Sequence, residues 1–355
     1  MLLNTYKLIV SKSLGLLILL IVEIHGATAQ DPQFTQFYAS PLYLNPAFAG
    51  AVEGARVGMN YRNQWPGIDA NYNTVTAWGD VYIEDKNSGI GLLLSHDAQG
   101  ISGLRSTGIA LQYAYDLRLT QKLSFRPGFQ GAFVNRSADF NNLIFGDQFD
   151  ANTGNLKSGY QSVDAMQGGR VNYFDLTFGG LFYSKSAWVG FTAAHVTRPN
   201  QSITGNSDKL PVKVSGHAGY KFFLESSTMG QGYLMKERER SIAPAVQYRH
   251  QGPFDQLDLG TYLTLEPLVF GIWYRGIPIQ KSYGLANNES LSLLVGIVKP
   301  GLKDVLNIGY SYDVTLSKLG LGSGGAHEIS ITYSWSTRDP RKPPKDKLTI
   351  PCPSF

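Results

Sequence analysis

Long segments in which apolar and polar residues alternate fill most of this chain. At one of them, Ile109 and Leu111 alternate with Gly108, Ala110 and Gln112. A period of two residues is typical of a strand whose two faces meet different surroundings. The pattern predicts about fourteen strands. They lie near residues 54–64, 71–83, 88–97, 104–117, 121–135, 172–184, 187–197, 210–223, 240–250, 256–264, 267–276, 289–299, 304–316 and 326–335.

The length of these segments indicates a membrane. Most are about 9–14 residues long, whereas strands of soluble proteins average roughly 5–6 residues. A tilted strand that crosses an outer membrane needs about 9–11 residues. We therefore expect an all-β fold, a transmembrane outer-membrane β-barrel of about 14 antiparallel strands over residues 54–335. Two apolar-faced sheets of a secreted β-sandwich would give a similar alternation, and they are the alternative.

The connections between the segments also alternate in length. If the first strand starts in the periplasm, the even-numbered turns face inward, and most are short, such as residues 84–87 and 184–186. The odd-numbered connections are longer and include residues 137–170 and 276–288. Short periplasmic turns and long outer loops are typical of outer-membrane barrels. Residues 225–239 form a long connection where a short one is expected, so the strand assignment is open there.

Composition excludes several functional classes. Charged residues make up 16% of the chain, against roughly 25% in an average soluble protein, and the formal net charge is only +4. Nucleic-acid binding is therefore not expected. Cys352 is the single cysteine, and the histidines are scattered without a metal-ligand spacing. We expect a protein that is not an enzyme and has no catalytic residue, cofactor or metal ion.

Residues 1–29 have the pattern of a secretory signal peptide. Lys7 and Lys12 precede a short apolar run, and the small residues Ala27 and Ala29 follow it. The run has about nine residues, whereas a spanning helix needs about 20. We expect export, cleavage before Gln30, and residence of the mature chain in the cell outer membrane as a multi-pass protein.

Two motifs follow in residues 30–53, and they carry a family resemblance. Residues 31–37, DPQFTQF, and 41–50, PLYLNPAFAG, resemble the start of the PorP/SprF family. Residues 252–260, GPFDQLDLG, and 271–276, GIWYRG, also match that family's pattern. The residues of these motifs that become candidates for partner binding are Asp31, Pro32, Gln33, Phe34, Asn45, Pro46, Gly50, Asp255, Gln256, Gly260, Trp273 and Arg275.

The resemblance implies a function. Members of this Bacteroidetes family are non-enzymatic outer-membrane components of the type IX secretion system. They support secretion or surface attachment of cargo such as gliding adhesins. The implied partners are the periplasmic secretion machinery, the C-terminal domain of a secreted adhesin, and outer-membrane lipid. A core secretion component and a protein dedicated to one adhesin are both open. An outer-membrane channel or a transporter of hydrophobic substrates is the alternative function.

The N-terminal motif segment combines apolar residues with prolines. Phe34, Phe37 and Phe48 need burial, although prolines interrupt regular structure around them. We expect residues 31–50 to pack in the barrel lumen or across its periplasmic mouth; a strand extension at the rim is the alternative.

Residues 336–355 form a basic, proline-rich tail with five prolines, five Lys or Arg and two Asp. An extended periplasmic arm that binds a partner and a disordered tail without one are both open. Arg338, Arg341, Lys342 and Phe355 are the tail's candidate binding residues.

Overall fold

The computed structural model describes residues 31–69, 71–100, 103–139, 146–150, 153–157, 159–160, 162, 169–203, 207–224, 239–282, 285–301, 304–317, 320–337 and 348–353. Only the backbone is described at residues 278–282, 285–287 and 321. The predicted signal peptide and the tail candidates Arg338, Arg341, Lys342 and Phe355 lie outside these residues. Within the described part of the chain, none of the helices has the length and apolar character to span a membrane.

Strands account for most of the described chain. They are β1 (Ala55–Gln64), β2 (Tyr72–Ile83), β3 (Ser88–Gln99), β4 (Leu104–Tyr115), β5 (Leu117–Arg118), β6 (Ser124–Ser137), β7 (Arg170–Tyr183), β8 (Ala187–Ala194), β9 (Lys213–Tyr220), β10 (Phe222–Phe223), β11 (Arg240–Gln251), β12 (Phe254–Leu265), β13 (Leu268–Ser282), β14 (Leu285–Pro300), β15 (Asp304–Thr315) and β16 (Ala326–Trp335). The described helices are single turns, namely the α-helix Pro41–Leu44 and the 3-10 helices Pro46–Phe48, Glu84–Lys86, Gly146–Gln148 and Leu321–Ser323.

Fourteen of the described strands close into a ring. Each long strand pairs antiparallel with its neighbours along the chain, β4 pairs with β6, and β9 pairs with β11. The ring closes between β1 and β16, where Ala55 lies opposite Trp335 and Gln64 opposite Ala326. The two-residue strands β5 and β10 lie against β6 and β11. The prediction of an all-β antiparallel barrel with 14 strands is confirmed.

The two faces of the ring reverse the distribution of a soluble protein. On β4, the outward Leu111 is 64% exposed, whereas the inward Gln112 is 2% exposed. Large apolar side chains are exposed on strands all round the ring, and the polar side chains between them are buried. A continuous apolar surface of this extent needs apolar surroundings, because exposure to water costs about 25 cal/mol per Å². The outward face therefore fits the membrane-facing surface of a barrel.

The two ends of the barrel differ. The start of β1 and the end of β16 lie at one end, together with the short connections such as Glu84–Lys86 and residues 184–186. We call this the periplasmic end, because short turns mark that side of outer-membrane barrels. The opposite, outer end carries the connection between β6 and β7. Residues 225–238, where the strand assignment was open, lie outside the described residues.

One predicted loop is wrong. Residues 276–288 were expected to form an outer loop, but β13 continues to Ser282 and β14 starts at Leu285. The register of this pair shifts between Arg275 and Gly276. Gly276 has a φ of 142°, a conformation that glycine adopts without strain. This irregularity interrupts the sequence alternation without ending the strand pair.

Candidate functional site in the barrel lumen

Residues 34–51, called the lumen segment below, are almost completely buried. Pro41 and Pro46 each occupy the start of a helical turn, where the missing amide proton costs nothing. Asn45 caps the second turn, since its side-chain oxygen accepts a hydrogen bond from the Ala47 amide at 2.9 Å. The buried apolar side chains are Phe34, Phe37, Tyr38, Leu42, Leu44 and Phe48. They supply much of the hydrophobic core.

The lumen segment contacts strands on opposite sides of the ring. The Gln36 side chain accepts a hydrogen bond from Ser330 on β16 at 2.6 Å. The Asn45 amide donates to the carbonyls of Gly180 on β7 and Phe191 on β8, each at 3.1 Å. A segment that contacts opposite walls of a closed ring lies within it. Of the positions considered from sequence, the observed one is the lumen rather than a strand extension at the rim.

A buried carboxylate holds the start of the lumen segment. Glu328 on β16 is fully buried, and its two oxygens accept hydrogen bonds from the backbone amides of Thr35 at 2.7 Å and Gln36 at 2.9 Å. Arg62 on β1 lies 3.3 Å from the same carboxylate and donates to the Thr35 hydroxyl at 2.9 Å. Charge-assisted hydrogen bonds of this kind are shorter and stronger than neutral ones. The carboxylate therefore fixes the backbone of residues 35–36.

Four further charged residues extend this cluster of Glu328 and Arg62 along the outer half of the lumen, and the charges of the six residues balance. Arg62 lies 2.8 Å from Asp313, and Arg275 lies 3.0 Å from Asp258 and 3.6 Å from Asp313. Arg249 pairs with Asp258 on its other side. The six residues, Arg62, Arg249, Arg275, Asp258, Asp313 and Glu328, carry three positive and three negative charges. Buried pairs contribute little net stability, because desolvation offsets the attraction, but breaking one of them is costly.

A second anchor lies toward the periplasmic end. Arg126 on β6 is fully buried and donates to the carbonyls of Ala47 at 3.1 Å and Ala49 at 2.6 Å. Its remaining nitrogen lies 3.1 Å from Asp116, whose carboxylate also accepts a hydrogen bond from the Tyr183 hydroxyl at 3.0 Å. An arginine that binds backbone carbonyls recognises the path of the chain rather than its side chains. The lumen segment is thus held by its backbone at both halves.

Glycines of the wall allow the backbone of the segment to approach closely. A Cβ added at Gly128 would lie 2.3 Å from the Ala47 nitrogen, and one at Gly89 would lie 2.0 Å from the Ala49 oxygen. A Cβ at Gly179 would lie 2.0 Å from the Asn45 side-chain oxygen. These contacts leave no room for any other residue type. The inward glycines therefore shape the wall to this segment.

The sequence matches the model of a known protein family. The model of the type IX secretion system membrane protein PorP/SprF matches residues 27–333, which is most of the chain.

This chain belongs to the PorP/SprF family.

Membership and the barrel fold together make it an outer-membrane component of the type IX secretion system. No curated protein sequence matches this PorP/SprF protein.

Solved outer-membrane barrels resemble it at low identity. A Pseudomonas aeruginosa FadL homologue is 11% identical, with 84% of this chain and 94% of that chain covered and a TM-score of 0.44. The Pseudomonas putida toluene transporter TodX is 11% identical, covers 88% of this chain and 96% of its own, and also has a TM-score of 0.44. Acinetobacter baumannii Omp33 is 8% identical over 81% of this chain and 99% of its own, with a TM-score of 0.40.

The structure brings most of the family-motif residues into the lumen site. Phe34, Asn45, Pro46 and Gly50 belong to the lumen segment, and Arg275 contacts it through the Thr35 hydroxyl at 3.4 Å. The rings of Trp273 and Phe37 are 4.8 Å apart. A Cβ at Gly260 would lie 2.3 Å from the Trp273 ring, so this glycine makes space for the indole.

Other motif residues lie at the edges of this site or away from it. Asp255 lies at the outer end of β12, where it accepts hydrogen bonds from Tyr248 at 2.5 Å and pairs with His250 at 2.8 Å. Gln256 donates to Asp258 at 3.1 Å. Asp31, Pro32 and Gln33 are partly buried, and the Pro32 carbonyl accepts a hydrogen bond from the Tyr43 hydroxyl at 2.8 Å.

Sequence reasoning missed Glu328, the residue that contacts the lumen segment most directly. The signal was an acidic residue in the inward row of a strand whose other inward residues are small and hydroxylated. Arg62, Arg126, Asp116, Arg275 and Asp258 line the lumen and take part in its ion pairs, and the three arginines also contact the lumen segment. His96 and Asp97 are adjacent in the sequence, but they lie on opposite faces of β3 because neighbouring strand residues alternate, and so they cannot act as a pair.

The described end of the tail, residues 348–353, packs against the barrel, whereas the sequence left an extended arm and a disordered tail both open. Leu348, Ile350 and Cys352 pack against the hydrophobic core, and Pro351 and Pro353 are buried. Burial raises the pKa of the Cys352 thiol well above its usual range, although the Lys221 ammonium acts in the opposite direction. Lys221 lies just beyond the periplasmic end of β9. Apolar residues at the tip of a polar tail gain more from the core than from water, so residues 348–353 return to the barrel.

Cys352 should report on this docking. We expect a maleimide to modify Cys352 in the folded barrel at pH 7 about tenfold more slowly than in the denatured chain, because the thiolate is the reactive form. The modification rate should keep rising above pH ~8.5, the ordinary thiol pKa. The rate of modification, followed by mass spectrometry, measures both effects. Leu348→Asp should release the tip and accelerate modification; equal rates in the folded and denatured chains would contradict the docked position.

Proposed function

We propose that this protein is a closed, non-enzymatic docking barrel that supports secretion or surface attachment of cargo by the type IX secretion system. The observation that carries the proposal is the lumen segment, which spans the interior between opposite walls and is fixed by Glu328 and Arg126. A pore that conducts solutes would gain nothing from a backbone held so firmly across its path. A docking protein gains a rigid interior against which its periplasmic end is fixed.

The chemistry of the periplasmic end supports a protein partner. Residues 336–355 carry five basic and two acidic residues, a difference of +3. Pro340, Pro343 and Pro344, which lie among the basic residues, reduce the conformational entropy that a flexible arm loses on binding. We infer that Arg338, Arg341 and Lys342 bind an acidic surface of the periplasmic machinery or of the C-terminal domain of a secreted adhesin. Phe355 would add an apolar contact.

Truncation after Trp335 tests this proposal. We expect the truncated barrel to insert and to remain heat-modifiable on gels, because no strand is lost. Secretion of the cognate cargo should fall by about tenfold or more, the effect of losing about 1.4 kcal/mol of partner binding. The measurement is the amount of cargo in the medium and at the cell surface, relative to the inserted barrel.

Two controls separate the possible causes. A full-length chain with Arg338, Arg341 and Lys342 changed to glutamine should reproduce the defect if the basic charges bind the partner. Planar-bilayer recordings of the unmodified protein should show no large, steady current. Normal secretion by an inserted truncated barrel would contradict the role of the tail, and a large steady conductance would favour a channel instead.

A further inference from the structure

The outward face of four neighbouring strands is layered near the outer end of the barrel. The register places Arg105, Ser137 and Arg170 side by side on β4, β6 and β7 at the rim. Two residues further from the rim on the same face, four polar residues lie in a row across β3, β4, β6 and β7, namely His96, Thr107, Asn135 and Asn172. Two residues further still from the rim, the row on this face is apolar and consists of Leu94, Ile109, Phe133 and Phe174. On β4 and β7, a charged, a polar and an apolar residue follow one another on the outward face within five residues.

A groove lies across the polar and apolar rows, below the arginines of the rim. It has a volume of about 410 Å³, and Leu94, Ile109 and Phe133 line its apolar part. Ala77 on β2 leaves a depression beside Leu94, because its side chain ends where its neighbours' side chains continue. His96 and Thr107 form the polar part of the groove, where the His96 ring lies 2.8 Å from the Thr107 hydroxyl. The groove is therefore largely apolar, with His96 and Thr107 on the side that faces the rim.

The two arginines at the rim are available for an anion. Arg105 and Arg170 are exposed, and neither has an ion-pair or hydrogen-bond partner for its side chain within the described residues. They are two strands apart, which corresponds to about 10 Å between their Cα atoms. Long guanidinium side chains at this spacing can converge on one phosphate, which arginine binds through two parallel hydrogen bonds. Among the strand residues whose side chains the structure describes, no other Arg or Lys lies on the outward face at this end.

We propose that this surface binds one phosphorylated lipid of the outer leaflet. The phosphate lies between Arg105 and Arg170, the polar row contacts the linkage region, and one acyl chain fills the groove beside Ala77. The position of the surface supports a lipid over a protein or a free anion. The groove opens onto the membrane-facing band. The charged, polar and apolar rows of the strand surface follow the order of headgroup, interface and hydrocarbon in a bilayer.

Native mass spectrometry of the whole barrel in detergent micelles tests the proposal, with purified lipid A as the probe. We expect Arg105→Gln/Arg170→Gln to bind lipid A about tenfold more weakly than the unmodified barrel. Arg240→Gln is the matched control, because Arg240 is an exposed arginine at the periplasmic end of the barrel. It should bind as the unmodified barrel does. Heat-modifiability on gels checks that each variant is folded.

Further arms of the experiment separate the phosphate from the acyl chain. Dephosphorylated lipid A should bind weakly, and inorganic phosphate at millimolar concentration should not displace lipid A. Ala77→Phe, which fills the groove, should weaken binding without changing either arginine. The proposal is overturned if the double variant binds normally, if Arg240→Gln loses as much affinity, if free phosphate competes, or if Ala77→Phe has no effect.

Discussion

Replacing Glu328 with glutamine should release the start of the lumen segment. The amide of glutamine would present donor hydrogens where Thr35, Gln36 and Arg62 already donate. Removing one partner of a buried ion pair typically costs about 3–5 kcal/mol, because the other charge remains desolvated. Arg62 would keep Asp313, but only one of the backbone amides of residues 35–36 would keep a side-chain oxygen as its acceptor. We therefore expect residues around position 36 to become accessible while the barrel stays closed.

A cysteine at position 39 measures this release. Ala39 is fully buried and small, so Ala39→Cys in a Cys352→Ser background changes little. In the otherwise unmodified barrel this thiol should be protected from a water-soluble maleimide. Adding Glu328→Gln should accelerate its modification by about tenfold or more. The matched control is Glu53→Gln, which removes an exposed carboxylate close to the segment. Unchanged protection in Glu328→Gln would show that Glu328 does not hold the segment.

Gly128→Val should prevent the lumen segment from occupying its position in the barrel lumen. The added Cβ would lie 2.3 Å from the nitrogen and 2.6 Å from the Cα of Ala47, and neither backbone atom can rotate away. Overpacking of a well-packed interior costs about 1–3 kcal/mol, and a clash with backbone lies at or above the upper value. Planar-bilayer recordings should then show a steady current that the unmodified barrel lacks.

The same strand offers the matched control for this variant. Gly131 lies on the outward face of β6, where the nearest atom to an added Cβ is the end of the Phe174 ring at 3.3 Å. Gly131→Val should therefore leave the barrel closed to ions. If both variants behave alike, the current reports a general loss of stability rather than displacement of the lumen segment.

The alternation of residues was sufficient to predict the barrel, because the membrane imposes one rule on every outward position. Strands such as β4 and β16 are found where the sequence predicted them. The alternation failed after Arg275, where the register shift at Gly276 interrupts the pattern although pairing continues to Ser282. An irregularity of one residue is enough to reverse the faces, so a periodic signal cannot follow a strand through it.

The sequence did not indicate which barrel residues contact the lumen segment. Its apolar residues indicated burial, but Arg62 and Glu328 are 266 residues apart and meet only because β1 pairs with β16. The inward glycines gave no usable signal either, since glycine is frequent throughout the chain, with 39 in 355 residues. The alternation assigns Gly128 to the inward face and Gly131 to the outward face, but only the structure shows that Gly128 contacts the segment.

The position of Thr35 at the seam of the ring has a consequence for the order of assembly. Thr35 contacts Arg62 on the first strand and Glu328 on the last one, so its binding site does not exist until those strands meet. The N-terminal residues therefore complete these contacts only when the ends of the sheet join. A ring that closed around an empty interior would leave the carboxylate oxygens of Glu328 without the hydrogen bonds from the Thr35 and Gln36 amides. The negative charge of Glu328 would then be poorly compensated. Closure of the ring and burial of the first residues therefore stabilise each other, which favours barrels that have enclosed their own first residues.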